Sequence, residues 1–446
     1  MKRIMAPLHR TFSALSVPNF RLFFYGQSIS LVGTWMQSVA QSWLVYSLTH
    51  SATALGLVVG IQTLPVLLLG PYAGVIADRT DKRRLMVVLQ ALMGVQALVL
   101  GVLAVAHVVT FWEVCVLAVL LGLNNTFENP ARQSFVLEMV GGEQVRNAVS
   151  LNSTMVNAAR AVGPAVAGLI IATAGVGICF LLNAVSFVAV VCSLIAMDKK
   201  ALQPSKPTGR GKGQLREGFS YVAHEPRLGV PLLMMALVGT LAYEFQVSLP
   251  VLAKQTFHGG PETYGFLTAA MGAGAVVGGL ITATRGKTGL RPLSIAALGF
   301  GVAVLCVSVS PVLGLAYGAM ALVGWGSVSF LATGNTTLQL NSAPNMRGRV
   351  MALWAVAFLG STPIGGPLIG WVIAATSARI GLGIGGVSAL LAAGLGFAAR
   401  AHLKARREAV DAADAGAAID ARQGAGRPGV SPGTAPALAP RPASSS

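Results

Sequence analysis

Three ionisable side chains lie well inside long apolar stretches of the chain: Glu128, Arg160 and Glu244. A charged group at membrane depth costs at least about 2.5–3.5 kcal/mol, so each one requires a partner or a function. Burial favours the neutral form of a carboxylate, whereas a nearby Arg favours its charged form. A Glu beside a movable Arg can therefore take up and release a proton. A fixed ion pair between Glu128 and Arg160 is the structural alternative.

Uncharged polar residues recur in the same apolar stretches and predict the wall of a wet cavity. Gln37 and Gln41 are four residues apart, so they share one face of a helix. Any single residue of this kind is as consistent with an interhelical hydrogen bond as with ligand binding, so the prediction depends on the set. The set consists of Gln37, Gln41, Asn124, Asn125, Tyr243, Gln246 and Asn335, with Trp35 and Trp354 as an aromatic complement.

The elements that position these residues are predicted by composition. The chain of 446 residues is 54% hydrophobic and 11% charged, whereas soluble domains carry about 25% charged residues. A window of about 20 residues, the length that crosses a bilayer, finds twelve apolar runs. Each run must be a helix because backbone polar groups in lipid have to be satisfied within their own segment. We therefore expect an all-α membrane protein with twelve transmembrane helices.

Positive charge is concentrated outside the apolar runs. Of 32 Lys and Arg residues, all but Arg160, Lys254 and Arg379 lie in the terminal segments or in loops on one predicted side. This is the positive-inside pattern, and it predicts a multi-pass protein of a bacterial cytoplasmic membrane with both termini in the cytoplasm. It also argues against a nucleic-acid-binding surface. The scattered Cys and His residues show no metal-ligand spacing.

The two halves of the chain repeat each other. The distance from Arg146 to Gly163-Pro164 equals that from Arg349 to Gly366-Pro367. With six runs in each half, the copies have the same orientation, as in a parallel duplication about an axis along the membrane normal. The predicted domains are an N-terminal six-helix bundle (1–198), a cytoplasmic linker (199–227), a C-terminal six-helix bundle (228–400) and a disordered cytoplasmic tail (401–446).

The loop after the second run, GVIADRTDKRR from residue 74 to residue 84, resembles the GxxxDRxGR[RK] signature of the major facilitator superfamily. Gly74, Asp78, Arg79 and Arg83 match the signature, and Lys82 keeps the charge of the Arg that is usual there. In that family the cluster acts as a cytoplasmic gate, and the resemblance implies the same role and the major facilitator fold here. Asp81 departs from the signature because the family usually has Gly at this position. A solvated loop that only sets membrane topology is the alternative.

Two further segments resemble exporters of that superfamily. Gly163-Pro164 in the fifth run is similar to a reduced form of the helix-five antiporter signature, although ordinary packing of small residues explains it nearly as well. The segments Pro18–Phe24, Gly33–Gln37, Gln41–Val45 and Tyr243–Pro250 resemble the enterobactin-exporter-like branch, also called transmembrane secretion effectors. This resemblance covers about residues 10 to 400 and implies efflux by alternating access. It does not identify the cargo.

These observations together favour a proton-coupled exporter of a small amphipathic molecule, such as a siderophore, a macrolide-like antibiotic or another drug. Glu244 or Glu128 would face the central cavity and couple proton entry to cargo exit, with Arg160 as the structural or competing partner. We expect no cofactor, with the proton gradient as energy source, and a monomer whose partners are its cargo and the bilayer. Import of a polar solute and a non-transporting scaffold or sensor remain alternatives. An enzyme or an ATP-driven pump is disfavoured, since catalytic clusters and a GxxxxGK[ST] motif are absent from the sequence.

Overall fold

The computed structural model describes residues 12–203, 214–286, 288–344 and 346–425, and every long element in these ranges is a helix. Eleven segments are long and apolar enough to cross a membrane. A further helix of 32 residues, Pro18–Thr49, carries several Ser and Gln residues and makes the twelfth. The expected twelve-helix fold is therefore confirmed. The helices are α1 (Pro18–Thr49), α2 (Ala52–Arg79), α3 (Lys82–Val105), α4 (Phe111–Gly142), α5 (Gln144–Ala174), α6 (Val176–Ile195), α7 (Pro226–Thr256), α8 (Pro261–Arg285), α9 (Leu290–Val309), α10 (Leu313–Asn341), α11 (Arg347–Ala375) and α12 (Ala378–Ala425).

Three of the helical runs are interrupted. Helices α4 and α5 follow each other without a loop, and the chain turns at Gly141, whose φ of 66° is a left-handed conformation that glycine adopts at low cost. Helix α7 breaks between Leu241 and Phe245. Helix α11 breaks at Gly360 and restarts at Thr362, with a Pro in its new first turn. Two of the interruptions therefore fall within membrane-spanning segments, where they can serve as bending points.

The chain forms two compact units, Met1–Phe397 and Ala398–Ser446. The first unit includes a linker helix, Gln214–His224, inside the segment predicted as the cytoplasmic linker; residues 204–213 lie outside the described residues. In the second unit, residues 401–425 are helical, although the sequence predicts a disordered tail there. Their Ala-rich composition favours a helix. The rest of the predicted tail, 426–446, lies outside the described residues.

Successive helices alternate in direction, so their connections lie at two opposite ends of the first unit. We call the end with the α2–α3 turn and the linker helix the linker end. We call the end with the α1–α2 turn at His50 and the α5–α6 turn at Gly175 the far end.

Two glycine-lined interfaces join the halves of the first unit. In one, a Cβ added to Gly56 of α2 would collide with the carbonyl oxygen of Gly366 of α11. In the other, Gly265 of α8 lies against the Pro164 carbonyl and Gly168 of α5. Since α2 corresponds to α8 and α5 to α11 in the sequence repeat, the two interfaces are equivalent copies. Helices approach this closely only where residues are small.

Both interfaces lie towards the far end of the unit. Gly370 near the end of α11 packs against the Ala52 carbonyl at the start of α2, and Gly168 packs against Glu262 at the start of α8. Towards the linker end, Gly70 of α2 has no atom within 4 Å of its Cβ position. Among the described residues, the glycine contacts between the halves thus extend from the far end to the middle of these helices, and they hold the far end together.

Candidate functional site

A cavity of about 190 Å³ lies in the first half of the molecule, and its wall combines apolar side chains with amides. Helices α1, α2, α3, α4 and α6 form the wall, and α7 of the second half adds one residue. The amide members are Gln37, Gln41, Gln62, Asn125, Asn183 and Gln246. None of the lining residues that the structure describes is charged. We call this space the amide cavity.

A buried hydrogen-bond network centred on Gln37 joins four helices at this wall. The Gln37 Nε2 group donates to Gln96 Oε1 of α3 at 2.8 Å, and Asn183 Nδ2 of α6 donates to Gln37 Oε1 at 2.6 Å. Gln96 in turn donates to the Leu117 carbonyl of α4 at 3.4 Å. An amide that is both donor and acceptor can link two partners in this way. The network fixes the polar side of the cavity.

Two further amide contacts bring α2 and α7 to the same cavity. Gln41 Nε2 donates to Gln62 Oε1 of α2 at 2.7 Å. Gln246 Nε2 of α7 donates to Ser38 Oγ of α1 at 2.7 Å, which is a hydrogen bond between the two halves. The amide cavity is therefore in contact with the part of α7 that follows its break.

The structure brings only part of the predicted polar set together. Gln37, Gln41, Asn125, Gln246 and Trp35 line the amide cavity. The remaining members lie elsewhere: Asn124 is buried outside the lining, Asn335 accepts a hydrogen bond from Gln339 one turn along α10, and Trp354 packs against Gly334. The prediction omits Ser38, Gln62, Gln96 and Asn183, although each is a polar residue within an apolar run.

Tyr243 belongs to an aromatic cluster of the second half and not to the amide cavity. Its ring stacks on Phe300 with a centroid distance of 5.3 Å and meets Phe358 edge-on at 5.2 Å. Its hydroxyl donates to the Ser327 carbonyl at 3.2 Å and accepts from Ser327 Oγ at 3.0 Å. The cluster packs the break in α7 against α9, α10 and α11.

Glu128 forms an ion pair with Arg132 and not with Arg160. Arg132 Nε lies 2.9 Å from Glu128 Oε1, and both side chains are largely buried. Gln90 of α3 adds a weaker contact to the same oxygen at 3.4 Å. The alternative of a fixed Glu128–Arg160 pair is therefore wrong. The physical reason is local, because residues four apart on a helix are neighbours and Arg132 reaches the carboxylate from the same helix.

Arg160 has no acidic partner in the structure. Its guanidinium carbon lies 4.9 Å from the centroid of the Trp35 ring, a cation–π geometry. Its Nε is buried without a hydrogen-bond partner. No carboxylate of the described residues lies within 4.0 Å of it, since no ion pair includes Arg160. The predicted pairing of Arg160 with a carboxylate is thus not formed in this state.

Glu244 occupies the break in α7 and is 4% exposed. Its main-chain carbonyl accepts hydrogen bonds from the Ser248 backbone and hydroxyl, whereas its Oε1 is buried without a partner. The carboxylate faces the glycine pair of α11: a Cβ added to Gly365 would lie 2.8 Å from Oε1. Gly366 of the same pair also contacts Gly56 of α2. Glu244 therefore lies beside the α2–α11 interface, and neither it nor Glu128 lines the amide cavity.

The motif between α2 and α3 ties together helices of the first half at the linker end. Lys82 Nζ lies 2.6 Å from Glu138 Oε1 of α4, and both side chains are buried. Arg83 donates to the carbonyls of Leu194 and Ile195, both at 2.7 Å, and so caps the end of α6. Arg79 is exposed, Gly74 lies in the last turns of α2, and the side chain of Asp78 lies outside the part that the structure describes.

Asp81, the departure from the family signature, has a specific role in the turn. Its side chain accepts a hydrogen bond from the Arg84 backbone amide at 3.0 Å and caps the start of α3. Its φ of −60° is an ordinary conformation, so the turn needs no glycine at this position. The turn therefore forms with Asp81 in place of the usual Gly.

Gly163 and Pro164 of α5 serve helix packing. A Cβ added to Gly163 would lie 2.6 Å from the Cβ of Trp35 in α1, and the Pro164 carbonyl contacts Gly265 of α8. The motif thus packs α5 against Trp35 of α1 in its own half and against α8 of the other half.

The proteins that are similar to this chain in sequence include known transporters. The sequence pattern of the transmembrane secretion effectors, within the major facilitator superfamily, matches residues 9–421. The chain is 28% identical over 389 residues to the enterobactin exporter EntS of Shigella boydii serotype 18, covering 84% of this chain and 91% of that protein. It is 25% identical over 354 residues to the staphyloferrin A transporter of Staphylococcus aureus, covering 78% and 88%.

Solved structures with the same fold are also transporters. A bacterial homologue of the human lysosomal transporter Spinster, in an inward-facing and unoccupied conformation, superposes with a TM-score of 0.69 at 14% identity, covering 86% of this chain and 97% of that chain. The nucleoside transporter NupG superposes with a TM-score of 0.65 at 12% identity, covering 86% of this chain and 99% of that chain. At this identity the likeness shows the fold.

Proposed function

The chain belongs to the transmembrane secretion effector family of major facilitator transporters, and from that premise we propose that it exports a small amphipathic molecule by proton-coupled alternating access. Membership makes it a multi-pass membrane transporter and not an enzyme. Export is supported by the name of the enterobactin exporter to which it is similar. A siderophore is the cargo class that the names of both relatives favour.

Alternating access is supported by the arrangement of the two halves. They meet through two equivalent glycine interfaces that close the far end. If the positively charged linker end faces the cytoplasm, as the Lys and Arg distribution predicts, this state is closed to the outside. Export then requires the α2–α11 and α5–α8 interfaces to separate while the linker end closes.

The observation that carries the proton-coupling proposal is the position of Glu244. Its carboxylate is buried at a helix break, has an oxygen without a partner, and lies beside the α2–α11 interface. A carboxylate isolated from water is more stable neutral than charged. Separation of α2 from α11 would admit water to this carboxylate, so its protonation is coupled to the opening of the far end. Glu128 is a weaker candidate because Arg132 already neutralises it.

The export proposal is tested in cells that lack this protein. We expect them to accumulate an iron-chelating small molecule, measured by mass spectrometry of cell extracts, and the wild-type chain to restore its secretion. A protonophore should abolish that restoration. Equal intracellular levels with and without the chain would contradict export.

The role of Glu244 is tested by Glu244→Gln in the same assay. We expect this variant to be present in the membrane at wild-type level but to lose proton-driven secretion, because Gln cannot release a proton. Glu408→Gln is the matched control, since the Glu408 side chain is exposed on the C-terminal part of α12 and lies in neither glycine interface. Secretion by Glu244→Gln that still depends on the proton gradient would exclude Glu244 from the coupling.

A further inference from the structure

An unpaired cation lies where the two halves meet, and neither the gate motif nor the proposed proton site uses it. Arg160 is on the part of α5 that packs against both α1 and α8: its main-chain carbonyl and Ala161 face Gly272 of α8, and Gly163 faces Trp35. The backbone beneath the guanidinium is therefore held in place. A cation without an acidic partner at this depth is costly, so it is retained for an interaction that this state does not show.

The Trp35 side chain connects this cation to the amide cavity. Trp35 lines the cavity, and the Arg160 guanidinium lies over its ring at 4.9 Å. The ring supports the planar guanidinium on one face, while Nε has no hydrogen-bond acceptor. The neighbouring wall offers amide groups that donate and accept hydrogen bonds but carry no charge. Arg160 itself is not among the residues that line the cavity, and the Trp35 ring is what joins this cation to the neutral polar wall.

We infer that Arg160 and Trp35 form the anion-binding part of the cargo site, which takes the carboxylate of an organic acid whose remaining polar groups hydrogen-bond to the amides. A guanidinium matches a carboxylate through two parallel hydrogen bonds. The Trp35 ring orients the guanidinium group and gives the apolar body of the acid a surface to pack on. This inference deepens the proposed function, because it depends on the amide cavity being the place where cargo binds.

Among the described residues, no acidic side chain forms an ion pair with Arg160. Glu128 is paired with Arg132, and Glu244 faces the α11 glycines. The Tyr243 hydroxyl is already hydrogen-bonded to Ser327. An external carboxylate is therefore the anion that this geometry accommodates.

The inference is tested with two probes of equal shape, benzoate and its neutral analogue benzamide, on the purified full-length protein in detergent. Binding is measured by calorimetric titration. We expect the wild type to bind benzoate at least tenfold more tightly than benzamide. Arg160→Gln should lose that preference, and Arg160→Lys should keep the charge but bind benzoate about tenfold more weakly, because Lys lacks the planar fork. Arg291→Gln, a change of an exposed Arg, is the control and should behave as the wild type.

Two outcomes would overturn the inference: no preference of the wild type for benzoate, or a preference that survives in Arg160→Gln. The first needs no variant, so it decides the question even if Arg160→Gln does not fold. The anion site and the export proposal are refuted by different results. If cells secrete the cargo while benzoate binding is independent of Arg160, only the anion site is wrong. If benzoate binding depends on Arg160 but the cells show no export, the anion site stands and the proposed export of an iron-chelating cargo is wrong.

Discussion

At the scale of single residues, several intramembrane polar side chains are hydrogen-bonded or ion-paired to one another. Gln37 is hydrogen-bonded to Gln96 and Asn183, and Gln41 is hydrogen-bonded to Gln62. Arg132 forms an ion pair with Glu128. Arg160 and Glu244 are the two ionisable side chains among the described residues that retain a buried atom without a partner; the others are the amides Gln27, Gln90, Gln144 and Asn152. Groups of this kind are costly in a membrane and concentrate at functional positions. These two residues, one cationic and one acidic, are therefore the best candidates for chemistry that changes between states.

The network around Gln37 gives a prediction of stability. Gln37→Leu removes the partner of both Gln96 and Asn183, and each buried amide then carries a desolvation cost. Because hydrogen bonds between membrane helices are worth about 0.6 kcal/mol on average, we expect a loss of about 1 kcal/mol, read as a lower Tm in detergent. The double variant Gln37→Leu/Asn183→Leu should cost less than the sum of the two single changes. Strict additivity would show that the two amides do not interact.

At the scale of helices, the ion pairs around the α2–α3 motif are unequal. Lys82 and Glu138 form a buried pair between α3 and α4, whereas Arg84 and Asp81 form an exposed pair within one turn. Removing one partner of a buried pair costs about 3–5 kcal/mol, and an exposed pair contributes about 0–1 kcal/mol.

These values predict that replacing Lys82 and replacing Arg84, two cations of the same turn, have different effects on thermal stability. Lys82→Gln should lower the Tm strongly, and Arg84→Gln should leave it almost unchanged. The measurement is thermal unfolding of the two purified variants beside the wild type. Equal Tm values for both variants would contradict the assignment of Lys82 as the residue that ties α3 to α4.

The glycine interfaces give a second prediction for the helices. Gly56→Ala adds a methyl group that collides with the Gly366 carbonyl, whereas Gly70→Ala on the same helix meets no atom within 4 Å. We expect Gly56→Ala to destabilise the closed far end and to increase labelling of a Cys placed there by a water-soluble maleimide. Gly70→Ala is the control and should label as the wild type. Unchanged labelling in Gly56→Ala would mean that this contact does not keep the far end closed.

At the scale of the whole molecule, sequence reasoning predicts the fold well because its determinants are local or periodic. Apolar runs of sufficient length predict the helices, and the repeated Gly-Pro spacing predicts two halves of the same orientation, whose residues Pro164 and Gly366 the structure places at the two interfaces. The candidate site is predicted less completely. Glu128–Arg132 is a same-helix pair that the four-residue spacing reveals, but the contact of Glu244 with the α11 glycines depends on packing between helices that are distant in the sequence.

The side chains around the cavity are likewise recognisable in the sequence by their type, whereas their contacts are not. Gln62, Gln96 and Asn183 are visible in the sequence as isolated amides in apolar runs, yet only the packing of α2, α3 and α6 against α1 brings them together. The absence of an acid near Arg160 in the described structure depends equally on tertiary packing. Residue type and periodicity identify the candidates, and the contacts between helices select among them.

The central claim, that the two halves alternate and that protonation of Glu244 favours closure of the far end, can be measured by pulsed electron paramagnetic resonance on the full-length protein. One spin-label pair replaces the exposed residues Leu57 of α2 and Leu368 of α11, and a second pair replaces the exposed Val149 of α5 and Leu280 of α8 near the linker end. In the wild type we expect distances at the two ends to change in opposite directions between acidic and alkaline pH. In Glu244→Gln, which is permanently neutral, the short far-end distance should persist at every pH. Fixed distances at both ends in the wild type, or a far-end distance in Glu244→Gln that still follows pH, would contradict the account.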